Sequence, residues 1–99
     1  MLFDQVNREM DLCIRHLVVL NKVVEDGPIG ILKLAEETDM ATHKVRYSLR
    51  VLEQQGLIKP SVHGAVAGDR VEEFFQDLDR NIDQILVRIK QMRDIGKLK

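Results

Sequence analysis

His43, Lys44, Arg46, Tyr47 and Arg50 bring cationic and hydrogen-bonding side chains together within one short stretch. These are the types that contact nucleic acid. An arginine fork makes paired hydrogen bonds to a base edge, while Lys, Tyr and His reach phosphate oxygens. Their spacing gives the set a geometry. At about 100° per residue, His43, Arg46, Tyr47, Arg50 and Gln54 share one side of a helix, with Lys44 on the flank. Val45, Leu49 and Leu52 take the other side, with Ser48 beside them. A helix so divided has a packing face and a cationic face, and its width suits the DNA major groove. The plainer alternative is that the face is charged only because it meets water.

Charge along the chain sharpens the first reading without deciding it; the architecture around the helix is what raises it. The net charge of −1 excludes a general polycation but not a local basic patch. By segment, residues 1–40 balance at −4, residues 41–63 at +3 and residues 64–99 at zero. Positive charge is thus concentrated where Lys44, Arg46, Arg50 and Lys59 face only Glu53.

The elements that would position this helix follow from apolar periodicity. Leu2 to Val24 reads as a long amphipathic helix, with Phe3, Val6, Met10, Cys13, Leu17, Leu20 and Val24 spaced three and four apart. Leu2, Ile14 and Val18 widen its stripe, so more than one surface must cover it. Asp26, Gly27, Pro28 and Gly30 end it in a turn. A short helix is predicted from Ile31 to Glu37, with Leu32, Leu34 and Ala35 on its buried side. "TDMAT" then turns the chain, with Asp39 suited to a left-handed backbone. Thr42 is the expected N-cap of the cationic helix, which ends at Gly56. "LIKPSV" predicts a short strand that Pro60 restricts to an edge, and "HGAVAG" a turn and return strand. Asp69 to about Ile95 is helical again, followed by a frayed tail. The expected class is mainly α with a small β-hairpin, in one domain: helix 1–25, two helices and hairpin 28–68, and a last helix 69–96.

The stretch "LKLAEETDMATHKVRYSLRVLEQQGLI" resembles the helix-turn-helix of small archaeal and bacterial winged-helix transcriptional regulators. Carrying the likeness are Leu34-Ala35, the turn at Asp39-Met40, Val45 and Leu49, then Leu52 and Gly56-Leu57-Ile58. It extends over roughly residues 11–70. The resemblance implies a winged helix-turn-helix whose second helix contacts double-stranded DNA through Thr42, His43, Lys44, Arg46, Tyr47 and Arg50. Lys59 and His63 would contribute from the hairpin. Two departures stand out: Asp39 occupies the usual turn-glycine position, and "PSVHGAVAGD" is short and nearly uncharged for a wing.

One such module offers few phosphate contacts. The last helix supplies a remedy. Val71, Phe75, Leu78, Ile82, Ile85, Ile89 and Met92 alternate four and three apart, a heptad seam suited to a homodimer. Phe74 and Leu86 broaden it. The alternative is that the seam packs on the N-terminal helix of the same chain. A dimer would present two reading helices to a near-palindromic operator.

Other constellations predict less. Cys13 and His16 lie one helical turn apart, but two ligands do not make a metal site, and Cys13 is expected as a buried thiol in the apolar stripe. Thr42 and Ser48 lack a base at a suggestive spacing, and Gly27 and Gly30 lack the residues of a phosphate loop. No catalytic residue, metal or cofactor is expected. A lone cysteine, no apolar run of membrane-spanning length and no recognisable export signal predict a cytoplasmic location. The expectation is a homodimeric, sequence-specific regulator of transcription. The competing class is a winged-helix module that docks proteins in a transcription or chromatin assembly. The residues do not disclose a small-molecule effector, nor whether regulation would be activation or repression.

Overall fold

Helix ends in this chain are set by residues that cannot continue a helix or that satisfy its last carbonyls. The computed structural model describes residues 1–98. Its elements run α1 (Asp4–Asp26), α2 (Ile31–Thr38), α3 (Thr42–Gln54), β1 (Ile58–Ser61), β2 (Gly64–Ala67) and α4 (Val71–Gly96). The molecule is mainly helical with one two-stranded antiparallel hairpin. Boundaries fall within two residues of the periodicity except in the tail, whose last residue, Lys99, lies outside the described residues.

Asp39 closes α2 in the left-handed conformation, at φ 54° and ψ 42°. Its backbone N–H is donated to the last carbonyls of α2, as the sequence anticipated for a short polar side chain there. α3 departs from expectation at its start. Ala41 is the N-cap, and Thr42 is the first helical residue, with no side-chain cap. At its end Gly56 turns the chain at φ 74°. Its carbonyl then accepts the Arg70 N–H at 3.1 Å, fixing the entry to α4 against the exit from α3.

In the hairpin, Ile58 pairs with Ala67 and Ser61 with Gly64. Ile29, from the α1–α2 connection, exchanges two backbone hydrogen bonds with Ala65, at 2.9 and 3.1 Å, on the side of β2 away from β1. β1 is therefore an outer edge, which is where Pro60 does no harm.

The core is built from Val19, Leu20 and Val23 of α1, Leu34 of α2, Val45 and Leu52 of α3, and Ile29, Leu57 and Ile58 around the hairpin. Leu32 does not join it. That residue is 74% exposed and Leu34 is fully buried, because two positions of separation put them about 200° apart on the helix. Ile31 and Ala35 pack beside Leu34 instead. Lys22 clasps α1 to α2, pairing with Asp26 at 2.7 Å and with Glu37 at 3.0 Å. These hydrogen bonds, that to Asp26 first, hold its ammonium protonated beyond the usual lysine range.

α4 is different in kind. None of its described residues is buried. Only Val71 and Phe74, at its start, pack against the core. Phe75, Ile82, Ile85, Leu86 and Met92 are exposed, as are Leu2, Phe3 and Val6 on α1. The seam of α4 is therefore not covered by α1 of the same chain. The result is an elongated body of 57 × 28 × 20 Å with a Cα radius of gyration of 16.0 Å. A compact chain of this length would have about 13 Å. No helix among the described residues is long and apolar enough to cross a membrane.

Candidate nucleic-acid interface

α3 is held from within by Val45, Ser48 and Leu52, all buried, and by the partly buried Leu49. Fixing this side forces the opposite side outward. His43, Lys44, Arg46, Tyr47, Arg50 and Gln54 are all exposed. Thr42 is half-buried at the helix start. Among the described residues, Lys44, Arg46 and Arg50 enter no ion pair, whereas Lys22, Lys33, Lys59, Arg70, Arg80 and Lys90 each have a carboxylate partner within 3.4 Å. Three free cations on one rigid helix can donate to phosphate and base oxygens without first breaking an internal contact.

The hairpin residues are less available. Lys59 Nζ lies 3.2 Å from Asp69 Oδ1, so its charge is already answered within the chain. His63 is exposed in the turn beside Val62 and makes no ion pair among the described residues.

Arg15 and His16 of α1 join the site through contacts with α3 that no spacing along the chain predicts. Arg15 places its guanidinium carbon 6.0 Å from the centre of the Tyr47 ring. Its Nε is buried with no hydrogen-bond partner. His16 packs its ring 5.9 Å from the same tyrosine and shares a 2.8 Å hydrogen bond between Nδ1 and Ser48 Oγ. Tyr47 is thus oriented from α1 by a cation and an imidazole, which limits the rotamers of an otherwise exposed side chain. Ser48 also finds the partner that sequence spacing could not supply. Its hydroxyl is fully buried, so the pair ties α1 to α3 and is out of reach of a substrate.

Burial, and secondarily the Arg15 charge, push the His16 pKa below its ordinary value of 6.5. The folded state then binds its proton at lower pH than the unfolded chain does. Stability contributed by neutral His16 is complete above about 6.5 and is lost progressively as pH falls below that value. Urea midpoints measured across this window should decline with acidification in the parent, and His16→Gln should flatten the decline. An equal decline in both proteins would remove His16 from the account.

The remaining expectations are quickly placed. Cys13 is exposed rather than buried, because the outer half of α1 has nothing packed over it in one chain. No group of three or more His, Cys, Asp or Glu side chains among the described residues is arranged to hold a metal. No family model and no curated protein matches this chain.

Proposed function

We propose that this chain is a winged helix-turn-helix protein that binds double-stranded DNA as a homodimer and regulates transcription. The observation that carries the reading is the α3 surface: Lys44, Arg46 and Arg50 are exposed with no internal counter-ion among the described residues, beside an aligned Tyr47. The order of elements supports it. Ile29, which pairs with Ala65 of the hairpin, precedes α2, the Asp39 turn, α3 and the hairpin, an order compatible with a winged helix that presents α3 outward. His43, Lys44, Arg46, Tyr47 and Arg50 would contact the duplex, with Arg15 supporting Tyr47 at the edge. Thr42 and His63 would reach phosphate at the margins. Lys59 would do so only by exchanging Asp69 for it. The uncovered seam of α4 supports a homodimer, which would double the phosphate contacts and read two halves of a near-palindromic site.

One observation favours the competing class. The hairpin carries little free charge, since Lys59 is paired, while α1 and α4 expose long apolar stripes of the kind that dock proteins. Titration of duplex genomic fragments at two salt concentrations separates the two. A dimer making six or more phosphate contacts should lose about a thousandfold in affinity between 50 and 200 mM salt, by counterion release. Absence of binding even at the lower salt would leave the docking module as the better reading.

A further inference from the structure

We infer that two copies of this chain join through α4 in antiparallel orientation, with Glu72 of each copy facing Arg93 of the other. The inference rests on the homodimer proposed above and adds its geometry. It begins from what α4 leaves free. Val71 is engaged with the core of its own chain, so the unoccupied seam runs from Phe75 through Leu78, Ile82, Ile85 and Ile89 to Met92. A groove of about 470 Å³ lies along its first half, walled by Cys13 and Leu17 of α1 and by Phe74, Leu78, Ile82 and Ile85 of α4. A helix from a second copy, laid antiparallel over the whole seam, sets Phe75 against Met92, Leu78 against Ile89 and Ile82 against Ile85. Each a-type position then meets a d-type position, as antiparallel helices require, and no seam residue is left over.

Charge chooses the orientation. The first half of α4 carries Glu72, Glu73, Asp77, Asp79 and Asp83 with Arg80, and the second half carries Arg88, Lys90 and Arg93 with Asp94, with Lys97 just past its end. In the heptad with Phe75, Ile82 and Ile89 at a, Glu72, Asp79, Leu86 and Arg93 occupy e, and Phe74, Asn81, Arg88 and Ile95 occupy g. Flanking pairs at e and g decide how two helices run. Antiparallel helices bring e against e, which sets Glu72 beside Arg93 of the second copy, twice. Parallel helices bring g against the following e, which sets Arg88 beside Arg93 of the second copy, also twice, as like charges. Glu72 and Arg93 are exposed and make no ion pair within the chain among the described residues, so both are free for this contact. Arg88 instead donates to the Gln84 carbonyl of its own helix at 3.1 Å.

The orientation has a functional consequence. The end of α3 lies at the start of α4, where Val51, Leu52 and Gln55 share the groove with Arg70 and Phe74. An antiparallel pair therefore carries the two α3 helices at opposite ends of a 26-residue rod, about 39 Å long at 1.5 Å per residue.

Sedimentation velocity over a dilution series tests the orientation on the intact chain without DNA. R93E should raise the dimer dissociation constant about tenfold, by turning two attractive pairs into two repulsive ones. The double variant E72R/R93E should restore parental association. Circular dichroism of each variant checks that α4 persists, since Glu72 in its first turn and Arg93 in its last each complement the helix dipole. A tighter dimer for R93E is the parallel outcome, since it relieves the Arg88–Arg93 repulsion. That result, or an unchanged constant, overturns the orientation and leaves the homodimer standing. A parent protein that is monomeric at every concentration overturns the homodimer as well, and leaves the α3 contact with DNA to its own test.

Discussion

Arg46→Ala/Arg50→Ala is expected to bind duplex DNA at least about thirtyfold more weakly than the parent, on the order of 2–6 kcal/mol for two lost arginine contacts. Both side chains project from a helix whose inner face is fixed by Val45, Ser48 and Leu52, so the guanidinium groups are held in register with each other. Neither has a carboxylate partner among the described residues, so removing them breaks nothing inside the protein. Thermal stability should change by no more than about 0.5 kcal/mol, the ordinary range for surface substitutions. The loss would therefore report contact and not unfolding. Arg80→Ala is the matching control, since Arg80 is also exposed but is paired with Asp77 at 3.1 Å on α4. Fluorescence anisotropy on a selected duplex reads all three proteins. Equal affinity in the parent and the double variant would remove α3 from the interface.

Leu34→Ala should cost about 3 kcal/mol, the middle of the range for truncating a buried leucine. α2 has eight residues and Leu34 is its sole buried side chain, set into the cluster with Val19, Leu20, Val23 and Val45. A helix this short has little stability of its own and depends on that attachment. For a domain of this size each kcal/mol moves the melting temperature by about 4–8 °C, so a fall of more than 10 °C is expected. Leu32→Ala, two positions away, should change it by about 4 °C at most. Similar losses from both would mean that α2 packs on a different face.

This pair of leucines shows where the sequence reading was sound and where it slipped. The existence of α2 followed from its apolar content and its bounding turns. Assigning Leu32 and Leu34 to one buried side ignored the 200° between them, and the structure separates them. The N-cap slipped for a similar reason. Thr42 has the side chain for that position, but the helix starts one residue earlier in its capping geometry, at Ala41. The cationic face of α3 was fully legible, because Val45, Leu49 and Leu52 fix which way the helix rolls and Arg46 and Arg50 must then point away.

Arg15 and His16 were not legible in that sense. Each sits on α1 more than thirty residues from the tyrosine or serine it touches, and no local periodicity records which turns of two helices cross. Cys13 misled for the complementary reason. It belongs to a genuine apolar stripe, but a stripe states only that a surface needs cover. In one chain the cover reaches Val19, Leu20 and Val23 and stops short of Cys13 and the residues before it.

The sequence by itself determined the helices, the turn at Asp39, the edge hairpin around Pro60, the outward cations of α3 and the heptad seam of α4. All of these arise from residue type and spacing over a few turns, where backbone geometry leaves little choice. Only the tertiary structure decided that Leu34 and not Leu32 faces inward, that Tyr47 is held by Arg15, that Ser48 meets His16 and that Lys59 is answered by Asp69. It also decided that α4 stands clear of α1. Those outcomes depend on how separate elements pack, and packing is settled by the fit of whole surfaces, which no single stretch of chain contains.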